Sequence, residues 1–93
     1  MYRTSMARFT IICDYEGGTY VSQVRASDAV HSVTAWAGQL QRERPIPDTS
    51  DLIAEAALQT PDDIVPLDGL TGVWCWTGSV REQLVLAHII ETV

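Results

Sequence analysis

Residues 8–26 read RFTIICDYEGGTYVSQVRA, and this stretch decides the fold class. Phe9, Ile11, Cys13 and Tyr15 fall on one face at period two, the mark of a strand with one buried side. Gly17-Gly18 follows, and both central positions of a type I′ turn require positive φ, which glycine adopts without steric cost. Residues 19–26 then return as a second strand. With Gly17-Gly18 as the loop, Tyr15 faces Tyr20, Cys13 faces Ser22 and Ile11 faces Val24, all reasonable cross-strand pairs.

After this hairpin the period changes. Ser27 is expected to cap a helix, with Asp28 in its first turn favoured by the helix dipole. Val30, Val33, Ala37 and Leu40 carry helical spacing through residues 28–43, with Trp36 beside the stripe. Gly38 weakens such a helix by about 1 kcal/mol relative to alanine and is expected to mark a close packing contact. Arg44-Pro45-Ile46-Pro47 ends it, because proline disfavours the α conformation in the preceding residue. A shorter helix, roughly residues 51–59, is capped by Thr49 or Ser50. Leu52, Ile53, Ala56 and Ala57 form its apolar side, and Thr60-Pro61 stops it. Residues 61–72 read as a loop with one short extended piece at Ile64-Val65.

Residues 73–80 and 83–93 are two further strands joined at Arg81-Glu82. The last, QLVLAHIIETV, is apolar on both faces from Leu84 to Ile90. That pattern suits a central strand covered on both sides, by helices on one and by a partner subunit on the other. The expected architecture is a single α+β domain over residues 1–93. It is an antiparallel sheet of two β-hairpins in ββααββ order, with two helices packed on one face. The first six residues fit no pattern and are expected to be disordered.

Composition narrows the function class. The chain has 93 residues and a net charge of −6, from twelve acids against six basic residues, all of them arginine. Negative charge repels phosphate, so nucleic acid and anionic membranes are not expected partners. The arginines are scattered and form no basic patch. Absent lysine removes Schiff-base chemistry and a P-loop. The bias toward Arg, Ala, Val, Asp and Thr points to a GC-rich bacterial genome. No signal-peptide pattern and no run of about 18 apolar residues is present. With only Cys13 and Cys75, both in strands, the expectation is reduced thiols in a cytoplasmic protein.

Four features carry candidate chemistry. Counting outward from Arg81-Glu82 sets Cys75 opposite His88, a pairing from which cysteine nucleophiles are built; the plainer reading is a small filler beside a neutral histidine, since mid-strand positions seldom hold nucleophiles. Cys13, His31, Cys75 and His88 match a zinc set in kind but not in spacing, so neither metal nor cofactor is expected. Asp48, Asp51, Glu55, Asp62, Asp63 and Asp68 form a run of acids between residues 45 and 68 with no basic residue among them. This is a solvated face, or a docking surface for a basic protein; the spacing of Asp62, Asp63 and Asp68 matches no calcium loop. Trp74 and Trp76 share one strand face, as core first and as dimer-interface anchors second.

The strand Phe9 to Tyr15, the segment Glu16-Gly17-Gly18-Thr19-Tyr20-Val21, the helix from Asp28 through Trp36 to Leu40, and Pro45-Ile46-Pro47 together resemble the HicB-type antitoxin domain over residues 8–48. That family has a third strand before its helix, whereas here Ala26-Ser27 leads directly into one, and no functional residue carries over. The resemblance implies an antitoxin that binds a small basic RNase. The residues themselves point to a non-enzymatic, acidic protein-binding module, a homodimer, of inhibitor or immunity type toward a basic protein. The alternatives are a small enzyme using Cys75 and His88, or a housekeeping protein.

Overall fold

The computed structural model describes residues 6–92. Of the six residues expected to be disordered, 1–5 lie outside that range, and Met6 is exposed ahead of the first strand. The first hairpin forms as β1 (Ala7–Tyr15) and β2 (Gly18–Ala26). It turns one residue earlier than expected, at Glu16-Gly17, with φ of 47° and 81°. Tyr15 therefore pairs with Gly18, Cys13 with Tyr20, Ile11 with Ser22 and Phe9 with Val24. The reason lies at Gly18. A Cβ there would stand 2.7 Å from the Tyr20 hydroxyl oxygen. Gly18 is thus covered by an aromatic ring within the strand, and Glu16 takes the left-handed turn position. The register moves by two residues, so every side chain keeps its expected face.

Helix α1 spans Ala29–Glu43. Its cap is Asp28, not Ser27: the Asp28 carboxylate accepts from the His31 backbone N–H at 2.8 Å and faces His31 Nδ1 at 2.7 Å. A carboxylate is the stronger acceptor at an N-terminus, and these bonds, the backbone one first, hold the Asp28 pKa below its ordinary value. Val33, Ala37 and Leu40 of the expected stripe are buried, with Trp36 and Ser32 beside them, whereas Val30 is half-buried. Gly38 makes no close contact with another element; a Cβ there would meet only Arg42 of its own helix, at 3.4 Å. Arg44 ends α1 in the left-handed region (φ 48°), its N–H reaching Leu40 O at 2.9 Å.

Helix α2 spans Ser50–Gln59. Thr49 occupies its cap position, but its hydroxyl makes no capping bond to the helix and accepts from the Arg81 guanidinium at 3.4 Å. The buried Ser50 hydroxyl instead accepts from Ile46 N (2.8 Å) and donates to Ile46 O (3.0 Å), folding the proline linker onto the helix. The short extended piece becomes a true strand, β3 (Ile64–Pro66), before β4 (Val73–Val80) and β5 (Gln83–Thr92). The sheet therefore has five strands, not four, in the order β2-β1-β5-β4-β3, every pair antiparallel. Three residues are too few to show a period, and Pro66 fits because an edge strand needs no N–H on its outer side.

The connection through α1 and α2 is the only long one among the described residues. It leaves β2 at one edge and enters β3 at the other. Both helices thus lie across one face. Under them Phe9, Ile11, Cys13, Val85, Ala87, Ile89 and Trp76 are almost fully buried. Trp76 packs edge-on against Trp36 of α1, with ring centroids 6.0 Å apart at 74°. Its indole N–H donates to Thr60 O at 2.9 Å, at the end of α2. Trp74 tilts against Phe9 at 6.2 Å.

Gly78 supplies the floor beneath Trp76. A Cβ at Gly78 would stand 2.5 Å from the indole six-membered ring. Because that ring is pinned by Trp36 and by Thr60, it cannot swing aside at low cost. Gly78→Ala is expected to destabilise the fold by about 2 kcal/mol through overpacking, read as a fall of several degrees in Tm. An unchanged Tm would mean that the indole moves freely.

Candidate functional site

The face opposite the helices has no cover from the described chain. Its side chains are set by register. One row runs across all five strands as Val21, Ile12, His88, Cys75 and Val65. The next rows carry Gln23, Thr10, Ile90 and Val73 on one side, and Thr19, Asp14, Leu86 and Thr77 on the other. Ile12, Val73, Leu86 and Ile90 are half-buried by their neighbours alone. Val21, Leu84 and Val65 stand 64%, 63% and 59% exposed. A contiguous apolar strip of this kind, rimmed by polar residues, is what binding faces present. β5 is the central strand, as its two-sided apolar pattern required, and its second side is this open face.

The open face is polar at its ends. Arg8 and Arg25, far apart in sequence, are cross-strand partners. Two like charges directly opposite repel, and neither arginine has an acid within ion-pair distance among the described residues. Scattered in sequence, these two arginines stand together in the fold: sequence distance hid the pair, and only the hairpin register reveals it. At the other end Asp14 accepts from the Thr19 hydroxyl at 2.8 Å.

The register places Cys75 opposite His88, as the count from Arg81-Glu82 gives. That turn forms from two non-glycine residues at φ 54° and 65°, held by the Arg81 guanidinium, which donates to Asp48 O at 2.9 Å. Burial raises the Cys75 thiol pKa. An activated nucleophile needs the opposite shift. Cys13 lies beneath the helices, and its pKa is pushed up to about 12, by burial first and then by the charge of Asp14.

Cys13, His31, Cys75 and His88 do not converge. Cys13 is on the helix side of the sheet, His31 is exposed on α1, and only Cys75 and His88 share a place. Among the described residues no group of three or more His, Cys, Asp or Glu side chains could hold a metal ion. Nor is any helix among them long and apolar enough to cross a membrane.

The acidic residues are all exposed but spread over four segments: Asp48 ahead of α2, Asp51 and Glu55 on α2, Asp62 and Asp63 in the α2–β3 loop, and Asp68 in the β3–β4 loop. Arginines from outside the segment border it. Arg44 pairs with Asp51 at 2.8 Å, and Arg81 covers the Asp48 carbonyl. Glu55, Asp62, Asp63 and Asp68 have no cation within ion-pair distance among the described residues. A shallow groove of about 340 Å³ between α2 and the β4–β5 turn includes Leu52, Glu55, Gln59 and Arg81. Trp76 belongs to the core and cannot anchor an interface, while Trp74 is half-buried on the same helix-covered side.

Comparison with known protein families, with curated proteins and with solved structures finds no match. The open-face residues Ile12, Val21, Val73 and Leu86 were not singled out by sequence reasoning, although the two-sided apolarity of β5 marked the face they share.

The two thiols give the site a direct test. In the native protein Cys13 is expected to resist alkylation until the chain unfolds. Cys75 is expected to react slowly, with an apparent pKa above that of an ordinary thiol, because burial disfavours its thiolate. Peptide mapping after alkylation across a pH series checks both, and fast labelling of Cys75 at neutral pH would revive a thiolate–imidazolium pair.

Proposed function

We propose that this chain is a non-enzymatic protein-binding module whose binding surface is the open sheet face and whose first partner is a second copy of itself. The observation that carries this reading is the apolar strip of Ile12, Val73, Leu86 and Ile90 left uncovered by the helices. Four long strands at about 4.8 Å spacing and eight residues at about 3.3 Å rise give a plane of roughly 500 Å², larger as a corrugated accessible surface. Two such faces together bury on the order of 1,000–1,200 Å², the lower end for specific pairs. The dimer is therefore one that dissociates on dilution. Free Cys13 and Cys75 suit a reducing, cytoplasmic setting.

Light scattering after size exclusion over a dilution series is expected to show dimer giving way to monomer. Leu86→Asp should leave the chain folded and monomeric, and alkylation of wild-type Cys75 should slow as protein concentration rises. A folded wild-type chain that is monomeric throughout would remove this reading.

A second reading concerns residues 48–68. Glu55 on α2, Asp62 and Asp63 in the α2–β3 loop and Asp68 in the β3–β4 loop are exposed acids outside the rows of the open face, which stays free for self-association. Such a surface speeds and orients the docking of a basic protein. This agrees with the inhibitor or immunity role read from the acid run, and with the antitoxin role that the resemblance of residues 8–48 implies. The expected complex has a basic partner encoded beside this chain, weakens with salt, and weakens further in the Asp62→Asn/Asp63→Asn variant. A complex indifferent to both would count against it.

A further inference from the structure

We infer that the second copy seats on the open face in one orientation, with the Arg8–Arg25 end of each copy over the Asp14 end of the other. This rests on the self-association proposed above and specifies its geometry. The open face of the β1–β2 hairpin has charge polarity. Its open end carries two arginines as cross-strand partners, and its turn end carries Asp14 paired across to Thr19. Arg8 and Asp14 sit six residues apart on one strand, about 20 Å. Among the described residues of one copy, neither arginine has an acid within ion-pair distance.

Two ways of closing a face-to-face pair about a two-fold axis keep the strands aligned. An axis running along the strands sets like ends together, so four arginines meet at one end and two aspartates at the other. An axis running across the strands reverses the strand direction and exchanges the ends. Arg8 of each copy then lies over Asp14 of the other, with Arg25 close by on the adjacent strand. The row of Thr10, Ile90 and Val73 lies over the row of Ile12, His88 and Cys75. Both arrangements cover this same face, and they differ in which charged ends meet. The reversed pairing also supplies the acid that the repelling Arg8–Arg25 pair lacks within its own described chain. Isologous closure stops the assembly at two copies.

The test is a charge exchange measured by light scattering and by the dimer dissociation constant at low salt. Arg8→Glu/Arg25→Glu is expected to weaken the dimer at least about tenfold, the scale of one lost close charge pair. Adding Asp14→Arg to that variant is expected to restore the dimer, because the reversed polarity is again complementary to itself. All three positions are surface positions, and circular dichroism verifies that each variant stays folded. If the wild-type chain dimerises but charge reversal leaves the constant unchanged, the orientation is overturned while self-association stands. If Cys75 also stays reactive in that dimer, the copies meet along a sheet edge instead of the open face. A wild-type chain that never dimerises overturns both.

Discussion

The position of the Trp76 indole is the constraint on which the rest of the structure depends. One edge of the ring meets Trp36 of α1, its N–H fixes Thr60 at the end of α2, and its face lies over Gly78. Three separate segments are thereby referred to a single side chain on β4. A buried indole N–H without an acceptor would cost on the order of 1–3 kcal/mol, so the end of α2 is fixed in position as well as in length. The same device recurs in smaller form at the first hairpin, where the Tyr20 ring lies across Gly18. In both hairpins a glycine inside a strand makes room for an aromatic ring two residues away.

Topology then explains why one face of the sheet stays bare. Both helices belong to a single connection that leaves one edge strand and returns to the opposite edge. Every other connection among the described residues is a tight turn or a six-residue loop, too short to carry a covering element. The apolar residues Ile12, Leu86 and Ile90 on the bare side are therefore not an accident of packing. They sit on the neighbouring strands β1 and β5 at the centre of the sheet, where a cover would be most effective, with Val21 and Val73 beside them and charged residues at the ends of the face.

Much of this was legible in the sequence because it depends on periods and turn chemistry. The period-two run in β1, the helical stripe Val33–Ala37–Leu40, the proline stop after Arg44 and the count that sets Cys75 against His88 all follow from local rules. What was not legible depended on contacts between distant segments. The hairpin turn shifted because Tyr20 claims the space over Gly18, a fact of side-chain volume and not of turn preference. Asp28 displaced Ser27 as the cap because a carboxylate reached His31. β3 showed in the sequence only as an extended piece at Ile64-Val65, too short to count as a strand, and it becomes one because β4 offers it an edge. The Arg8–Arg25 pair required the register of the hairpin, and the contacts of Trp76 with Trp36 and Thr60 required the placement of both helices, although its strand face already read as core.

The two margins of the sheet are unlike, and this bears on how the protein behaves at high concentration. At one margin β3 offers only three residues, one of them Pro66, which has no amide proton to give. At the other, β2 presents nine residues, with the Gln39 side chain from α1 leaning over to Gln23 O. Strand-by-strand growth needs two receptive margins on every molecule. With only one among the described residues, edge pairing by itself ends after a single β2–β2 contact, so the margins of the sheet do not template continuous strand-by-strand growth.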